Sequence, residues 1–121
     1  MRKGFCPLFL LVPCSLWLLT ACGSSSDQQK IAAGRDVYIA HCSQCHQPEG
    51  QGYAQVYPRL AGDPIVNLDD AAPTIEVVLH GRGSMPSFND ELTSEERAQV
   101  ISYIRNAWGN SAPTVTSSQA Q

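Results

Sequence analysis

The pentapeptide Cys-Ser-Gln-Cys-His at residues 42–46 constrains this 121-residue chain more than any other feature. A Cys-x-x-Cys pair serves dithiol redox exchange, structural zinc or thioether attachment of haem. Redox exchange needs a βαβ context and zinc needs a second Cys or His pair at similar spacing. The remaining histidines, His41 and His80, are single, and there is no second Cys-x-x-Cys. The motif therefore favours haem, with a disulfide or zinc as the alternatives.

Covalent haem attachment uses every reactive residue of this pentapeptide. The thiols of Cys42 and Cys45 would add to the two vinyl groups of haem as thioethers. His46 follows the second thiol directly, where its imidazole can ligate the iron. The motif predicts one covalently bound c-type haem.

The first 21 residues have the composition of an export signal. Arg2 and Lys3 precede an apolar stretch over residues 5–19, which is interrupted by two prolines. This stretch is short for a bilayer-spanning helix of about 20 residues. We predict a signal peptide over residues 1–21, and a retained transmembrane anchor is the alternative.

The sequence Leu-Thr-Ala-Cys at residues 19–22 resembles the lipobox of bacterial lipoproteins. The resemblance implies cleavage before Cys22 and attachment of lipid to this cysteine. Two or more acyl chains anchor a protein stably, so the predicted location is the periplasmic side of a bacterial membrane. An ordinary signal peptide with an incidental cysteine is the alternative.

The charge balance restricts the class of partner. The sequence has eleven acidic and eight basic residues, and the basic Arg2 and Lys3 lie in the leader. The exported chain is therefore acidic, which argues against nucleic acid and for a partner with a basic docking face. Its length allows one small domain.

A second axial ligand is predicted in the segment Gly-Arg-Gly-Ser-Met-Pro-Ser-Phe. Met85 is the only methionine after the leader, and Gly81, Gly83 and Pro86 predict a loop around it. A thioether presented by such a loop suits the second face of the iron. His80 is the rival ligand, although its position at the end of a predicted helix over residues 74–80 also suits interaction with the helix dipole.

Beyond the haem motif, the chain resembles the class I cytochromes c. Gly34 and Tyr38 precede Cys42 at the spacing of that family's first helix, and Val100 and Tyr103 match its last helix. The segment Tyr-Pro-Arg-Leu-Ala-Gly at residues 57–62 resembles the family's Pro-x-Leu-x-Gly. The resemblance implies that the Pro58 carbonyl accepts a hydrogen bond from the ligating imidazole and that Leu60 packs on the haem. The predicted cofactor-binding residues are Cys42, Cys45, His46, Met85, Pro58, Leu60 and Tyr38, with His46 and Met85 as iron ligands.

The resemblance implies an all-α, class I cytochrome c fold, with three to four helices and loops wrapped round one covalently bound haem. The predicted order is a tether over 22–30, a cytochrome c domain over 31–109 and a disordered tail over 110–121. The first helix is predicted over 31–41, with Ile31, Val37, Tyr38 and Ile39 toward the core. The last helix is predicted to begin with a Thr93 capping box and to end at Gly109. Residues 47–72 are predicted to form loops.

These observations predict one-electron transfer by a lipid-anchored, periplasmic monohaem cytochrome c rather than an enzyme. The partners implied are a redox donor and acceptor, such as a dehydrogenase, a reductase or a terminal oxidase. The segments Pro-Arg-Leu-Ala-Gly and Tyr-Ile-Arg-Asn-Ala-Trp-Gly-Asn resemble haem domains associated with quinoprotein alcohol dehydrogenase or nitrite reductase. The alternative function is a haem-based sensor or peroxidase-like enzyme with a displaceable Met85.

Overall fold

The computed structural model describes residues 24–121 and contains four helices and no named strand over that range. The helices are α1 Ser24–His41, α2 Ser43–His46, α3 Ala72–His80 and α4 Ser94–Ile104. Long loops over 47–71 and 81–93 connect α2 to α3 and α3 to α4. The predicted signal peptide and Cys22 lie outside the described residues. None of the helices in the described part is long and apolar enough to cross a membrane.

The main helix–helix contact joins α1 and α4. It forms at Gly34, where an added methyl group would lie 1.9 Å from the Gln99 carbonyl oxygen. Because glycine has no Cβ, the two backbones can approach this closely. Tyr38 packs one turn further on, with its ring centroid 5.4 Å from that of Tyr103 and 4.9 Å from that of Trp108.

Helix α1 is longer than predicted and buries a narrower face. It begins at Ser24, so residues 24–30 are helical rather than a tether. Tyr38 is fully buried, whereas Ile39 is 43% exposed, contrary to the prediction that it faces the core. Adjacent residues of a helix point about 100° apart, so a helix that turns Tyr38 toward α4 turns Ile39 toward solvent.

Helix α4 begins as predicted and ends earlier. The Thr93 hydroxyl accepts from the Glu96 backbone N–H at 3.2 Å, and the Glu96 carboxylate accepts from the Thr93 backbone N–H at 2.8 Å. This reciprocal capping box satisfies two backbone donors at the helix start. The helix ends at Ile104 rather than near Gly109, and Trp108 adopts a left-handed φ of 54° in the turns that follow.

The carboxyl-terminal segment 110–121 is packed, contrary to the predicted disordered tail. Val115 and Ala120 are fully buried. The Arg97 Nε–H donates to the Ala120 carbonyl at 2.8 Å, and the Lys30 ammonium donates to the Val115 carbonyl at 3.0 Å. The small, polar composition of this segment is typical of disorder, but side chains from α1 and α4 satisfy its backbone.

The core lies between α3, α4 and the loops. It is lined by apolar side chains that include Tyr38, Val66, Ile75, Val78, Leu79, Phe88, Leu92, Val100, Ile101 and Ile104. Fully burying one such aliphatic side chain stabilises the fold by about 1.5–3 kcal/mol. Val78 of α3 and Val100 and Ile104 of α4 are among the core side chains that also line a cavity, so the core and the candidate site are continuous.

Candidate functional site

Helix α2 places the Cys-x-x-Cys-His motif at the end of α1. The His46 N–H donates to the Cys42 carbonyl at 2.9 Å, and the Cys42 N–H donates to the Tyr38 carbonyl at 2.9 Å. This single helical turn directs both sulfurs and the imidazole into the same cavity. Gln47, with a φ of 66°, ends the turn.

Cys42 and Cys45 are not joined by a disulfide. Burial, with a smaller contribution from Cys45, raises the pKa of Cys42 to about 12. A protonated, buried thiol is a poor redox nucleophile. Among residues 24–121, no group of three or more His, Cys, Asp or Glu side chains could hold a metal ion by itself. The disulfide and zinc alternatives therefore find no support in the described part of the chain.

His46 is buried and oriented by a loop carbonyl. Its Nδ1 lies 2.8 Å from the Pro58 carbonyl oxygen. Because a carbonyl only accepts, Nδ1 carries the proton and Nε2 keeps its lone pair. Such a contact fixes the tautomer and orientation of an imidazole and raises its basicity as a ligand. The hydrogen bond lies where the resemblance implied it.

Gly52 allows the Pro58 carbonyl to reach His46. The Gly52 N–H donates to the His46 carbonyl at 2.9 Å. Its φ is 65°, and a methyl group there would lie 2.5 Å from the Tyr57 oxygen and 2.7 Å from the Pro58 oxygen. Only glycine tolerates both this backbone conformation and this approach. Sequence reasoning missed Gly52, since its contact partners form only in the folded loop.

Met85 lies at the end of a tight turn on the cavity wall. The Arg82 and Met85 backbones exchange two hydrogen bonds of 3.1 and 3.0 Å across Gly83 and Ser84. The Met85 side chain is partly buried against the core. His80, the rival ligand, does not line the cavity: its side chain is 68% exposed and lies 3.4 Å from Glu76.

The cavity has a volume of about 400 Å³, within the range of sites for cofactors and other ligands. Its wall is mainly apolar and carries few charged side chains. Six of the seven predicted cofactor-binding residues line it: Cys42, Cys45, His46, Pro58, Leu60 and Met85. An apolar cavity with two thiols, one free imidazole nitrogen and one thioether fits a haem by the chemistry of its donors.

Tyr38, the seventh predicted cofactor-binding residue, lies away from this wall. Its hydroxyl donates to the Gln47 carbonyl at 2.7 Å, and its ring packs against Tyr103 and Trp108. Burial raises the pKa of Tyr38, so the hydroxyl remains a donor. The prediction of direct cofactor contact is therefore corrected. Tyr38 lies outside the cavity wall and holds the residue that follows α2, Gln47, by its hydroxyl.

Arg105 and Asn110 anchor the loop on the far side of the cavity, and sequence reasoning missed both. The Arg105 guanidinium donates to the carbonyls of Val66 at 3.1 Å and Leu68 at 2.7 Å. The Asn110 amide donates to the Leu60 carbonyl at 3.0 Å, while its oxygen accepts from the Gly62 N–H at 2.8 Å. The sequence signal that could have indicated Arg105 is its position directly after Ile104, the last apolar residue of α4.

Solved structures place this fold among the class I cytochromes c. Cytochrome CL from the marine methylotroph Methylophaga aminisulfidivorans superposes with a TM-score of 0.59 at 20% identity, covering 78% of this chain and 61% of that chain. Cytochrome c6 from the diatom Phaeodactylum tricornutum superposes with a TM-score of 0.51 at 27% identity, covering 61% of this chain and 88% of that chain. The predicted all-α cytochrome c fold is confirmed.

The family model described as cytochrome C oxidase, cbb3-type, subunit III matches residues 29–104, and the chain belongs to this family of c-type cytochromes. Its cofactor is a covalently bound c-type haem, and homologues in this family act in electron transfer. Membership of a family of electron-transfer cytochromes fits the prediction that the protein is not itself an enzyme.

Curated relatives include subunits of larger assemblies. The cytochrome c subunit of alcohol dehydrogenase (quinone) from Gluconobacter oxydans is 37% identical over 101 residues, covering 74% of this chain and 21% of the relative. Cytochrome c-552 of Thermus thermophilus is 34% identical over 94 residues, covering 65% of this chain and 70% of the relative. The chain spans about a fifth of the length of the alcohol dehydrogenase subunits that it matches.

Proposed function

We propose that this protein is a lipid-anchored, periplasmic one-electron carrier whose haem is attached through Cys42 and Cys45 and ligated by His46 and Met85. The observation that carries the proposal is the convergence of these four side chains on one apolar cavity, with His80 outside it. When bound, the haem supplies a reversible one-electron couple.

The protein's own residues would then set the properties of that couple. The Pro58 carbonyl accepts from the His46 Nδ1–H, which leaves Nε2 as the ring nitrogen that can ligate the iron. Two protein ligands leave no coordination position for a substrate, which favours electron transfer over the sensor or peroxidase-like alternative. A neutral thioether and apolar walls both favour the less charged ferrous state and therefore raise the reduction potential.

The ligand assignment is tested by replacing Met85 with alanine in the haem-loaded protein. We expect the haem to stay attached, the sulfur-to-iron absorption band of the oxidised protein to disappear and the reduction potential to fall. Carbon monoxide should bind the reduced variant faster, because one face of the iron is then open. The matched control is His80→Ala, which should leave band, potential and carbon monoxide binding unchanged. The assignment is wrong if His80→Ala loses the absorption band and lowers the potential while Met85→Ala leaves both unchanged.

The lipid anchor is supported by the lipobox-like segment that ends at Cys22, outside the described residues. We expect the full chain to fractionate with membranes and to incorporate a radiolabelled fatty acid. Cys22→Ser should lose the label and pass into the soluble periplasmic fraction with its haem spectrum unchanged. Label that persists in this variant would contradict attachment at Cys22.

The proposed partner is a membrane-bound dehydrogenase, reductase or oxidase that exchanges electrons at the cavity edge. Support comes from relatives whose names place them as subunits of alcohol dehydrogenase (quinone), gluconate 2-dehydrogenase and cbb3-type oxidase. A redox enzyme should co-purify with this protein from detergent-solubilised membranes. If the ratio of the two proteins stays constant in high salt, this protein is a permanent subunit. A salt-labile association would identify a shuttle.

A further inference from the structure

A second histidine lies at the edge of the cavity. His41 is the last residue of α1, directly before Cys42, and it lines the cavity. Two contacts locate its imidazole: Nδ1 lies 3.1 Å from the Glu91 carboxylate, and the ring centroid lies 6.5 Å from that of Phe88, which also lines the cavity. The His41 side chain is 31% exposed, so the ring can exchange protons with water.

The contact with Glu91 identifies the ring nitrogen that can take up a proton. An ionised carboxylate only accepts hydrogen bonds, so the His41 Nδ1 carries a proton. In the neutral ring Nε2 is then unprotonated, and it is the atom that binds a proton when the ring becomes a cation. That cation forms an ion pair with Glu91. Histidine is the side chain whose ordinary titration falls between pH 5 and 8.

The carboxylates near His41 come from two parts of the fold. The loop over 81–93 supplies Glu91, and the first turn of α4 supplies Glu96. Hydrogen bonds from Thr93 lower the pKa of Glu96, and His41 adds a smaller electrostatic contribution in the same direction. Both carboxylates favour the protonated form of His41.

The other charged groups of the cavity wall do not change with electron transfer. Besides His41 they are Arg59, Arg82 and Asp63, which together carry one positive charge. Arginine and aspartate side chains ordinarily titrate outside the range of pH 5–8. The two cysteines of α2 lose their ionisable proton when they form thioethers with haem. The iron is therefore the group in the cavity whose charge changes when an electron is transferred.

A change of charge on the iron alters how firmly His41 holds a proton. Reduction of ferric to ferrous iron removes one positive charge, so a nearby imidazolium is repelled less. We propose that His41 binds a proton at Nε2 when the haem is reduced and releases it when the haem is oxidised. The iron gains one electron from the donor redox protein while Nε2 gains one proton from water, and reoxidation by the acceptor reverses both. The proposal rests on the haem attachment proposed above.

Coulomb's law gives the size of the expected effect. Two unit charges about 10 Å apart, at an effective dielectric constant of about 20, change a binding constant by roughly tenfold. Water and salt screen a partly exposed group such as His41. We therefore expect the ferrous protein to bind the His41 proton about threefold more tightly than the ferric protein.

The proposal is tested on the wild-type, haem-loaded protein by nuclear magnetic resonance. The shift of the His41 Cε1 proton is followed against pH in the ferrous and ferric states. We expect its titration midpoint to lie about half a pH unit higher in the ferrous state, which corresponds to the threefold change. His80 is the internal control, because it lies 3.4 Å from Glu76 but is 68% exposed and does not line the cavity. Equal midpoints for His41 in the two states would overturn the proposal.

Potentiometry tests the same coupling from the side of the electron. The wild-type potential should fall as the pH rises through the titration range of His41, because proton binding favours ferrous iron. His41→Gln should lose this pH dependence, and His80→Gln should keep it. Glu91→Gln should move it to lower pH, because the ion pair no longer stabilises the imidazolium. A pH dependence that persists in His41→Gln would overturn the proposal, since the haem carboxylates would then be the titrating groups.

The two proposals fail in different ways. If the wild-type protein shows no thioether-linked haem in its alkaline pyridine spectrum, the attachment through Cys42 and Cys45 is wrong. If that haem is present and the His41 midpoint is the same in both states, only the proton coupling is wrong.

Discussion

At the scale of single residues, the most sensitive point of the site is the contact between Gly52 and the loop that carries Pro58. The Pro58 carbonyl is both the acceptor for His46 and one of the atoms that a Cβ at Gly52 would strike. The space left by one missing methyl group therefore determines how well the imidazole is oriented.

We predict that Gly52→Ala raises the reduction potential. A displaced Pro58 carbonyl would weaken the His46 hydrogen bond and make the imidazole a less basic ligand, which favours ferrous iron. Potentiometry and the iron–histidine stretching frequency measure this effect. The matched control is Gly62→Ala, because Gly62 has a φ of 73° but a Cβ added there would have no atom within 4 Å. Equal shifts in both variants would show that backbone strain, rather than contact with Pro58, is responsible.

Residues of this kind differ in how far sequence predicts them. Cys42, Cys45 and His46 follow from a local motif whose spacing carries the chemistry. Gly52 does not, because its role depends on the Pro58 carbonyl, which approaches it only in the folded loop. Tyr38 was placed in the correct helix but not in the correct surroundings, since a helical pattern predicts burial without predicting what covers the side chain.

At the scale of elements, the end of α4 holds the cavity loops in place. Arg105 is fully buried. Its guanidinium donates to four backbone carbonyls, those of Val66, Leu68, Asp69 and Pro113. Burial lowers the pKa of Arg105 from its very high normal value, and nearby acidic groups oppose this shift. One guanidinium thus connects the loop over 66–69 to the carboxyl-terminal segment.

We predict that Arg105→Met lowers the free energy of unfolding by about 3 kcal/mol or more, because hydrogen bonds to a charged group contribute about 1.5–3 kcal/mol each and several buried carbonyls lose their donor. Denaturant titration of the haem-loaded protein measures the change. Hydrogen exchange should increase in the loop over 63–70 before it increases in α1. Arg35→Met, at an exposed position of α1, is the control and should change stability by less than about 0.5 kcal/mol. Equal stability of the two variants would contradict an anchoring role for Arg105.

The sequence predicted the start of α4, but neither its end nor the buried face of α1. The start of α4 was predicted correctly because a capping box is a local signal of four residues. The end of α4 was not; there the Asn106 side chain donates to the carbonyls of both Ser102 and Ala112, contacts that no local motif indicates. The predicted core position of Ile39 was wrong because four apolar residues in α1 do not by themselves show which of them faces α4.

At the scale of the whole molecule, the protein encloses a large apolar cavity with only four helices around it in the part of the chain that the structure describes. The walls of that cavity are also the core, so the haem contributes surface burial that the polypeptide alone lacks. A ligand that binds only the folded state stabilises it, and a covalent one cannot dissociate.

We therefore predict that the haem-free protein is largely unfolded. Cys42→Ser combined with Cys45→Ser, produced so that no haem is attached, should show much weaker helical circular dichroism than the haem-loaded protein at the same concentration. Adding free haem should restore part of the signal through His46. Full helical content and a cooperative thermal transition in the haem-free variant would contradict the prediction.

The carboxyl-terminal segment shows why composition misleads at this scale. Residues 110–121 are small and polar, which is typical of disorder, yet Val115 and Ala120 are fully buried. Their carbonyls meet Lys30 and Arg97, which are distant in sequence. The predicted tether over 22–30 is helical from Ser24 onward, and Asp27 accepts from the Thr114 hydroxyl at 3.0 Å, so the two predicted flexible ends contact each other.

The sequence by itself determined the haem motif and the start of α4, and its resemblance to the class I cytochromes c indicated the all-α fold class and, with the motif, six residues that line the cavity. The haem motif and the capping box depend on covalent chemistry and on a few neighbouring residues, which act over short distances along the chain. Only the tertiary structure decided that Tyr38 lies behind the site, that Arg105 and Asn110 hold its loops, and that the carboxyl-terminal segment is packed. Each of these depends on a carbonyl or ring that lies many residues away, and hydrogen bonds across such separations form only when the whole chain has folded.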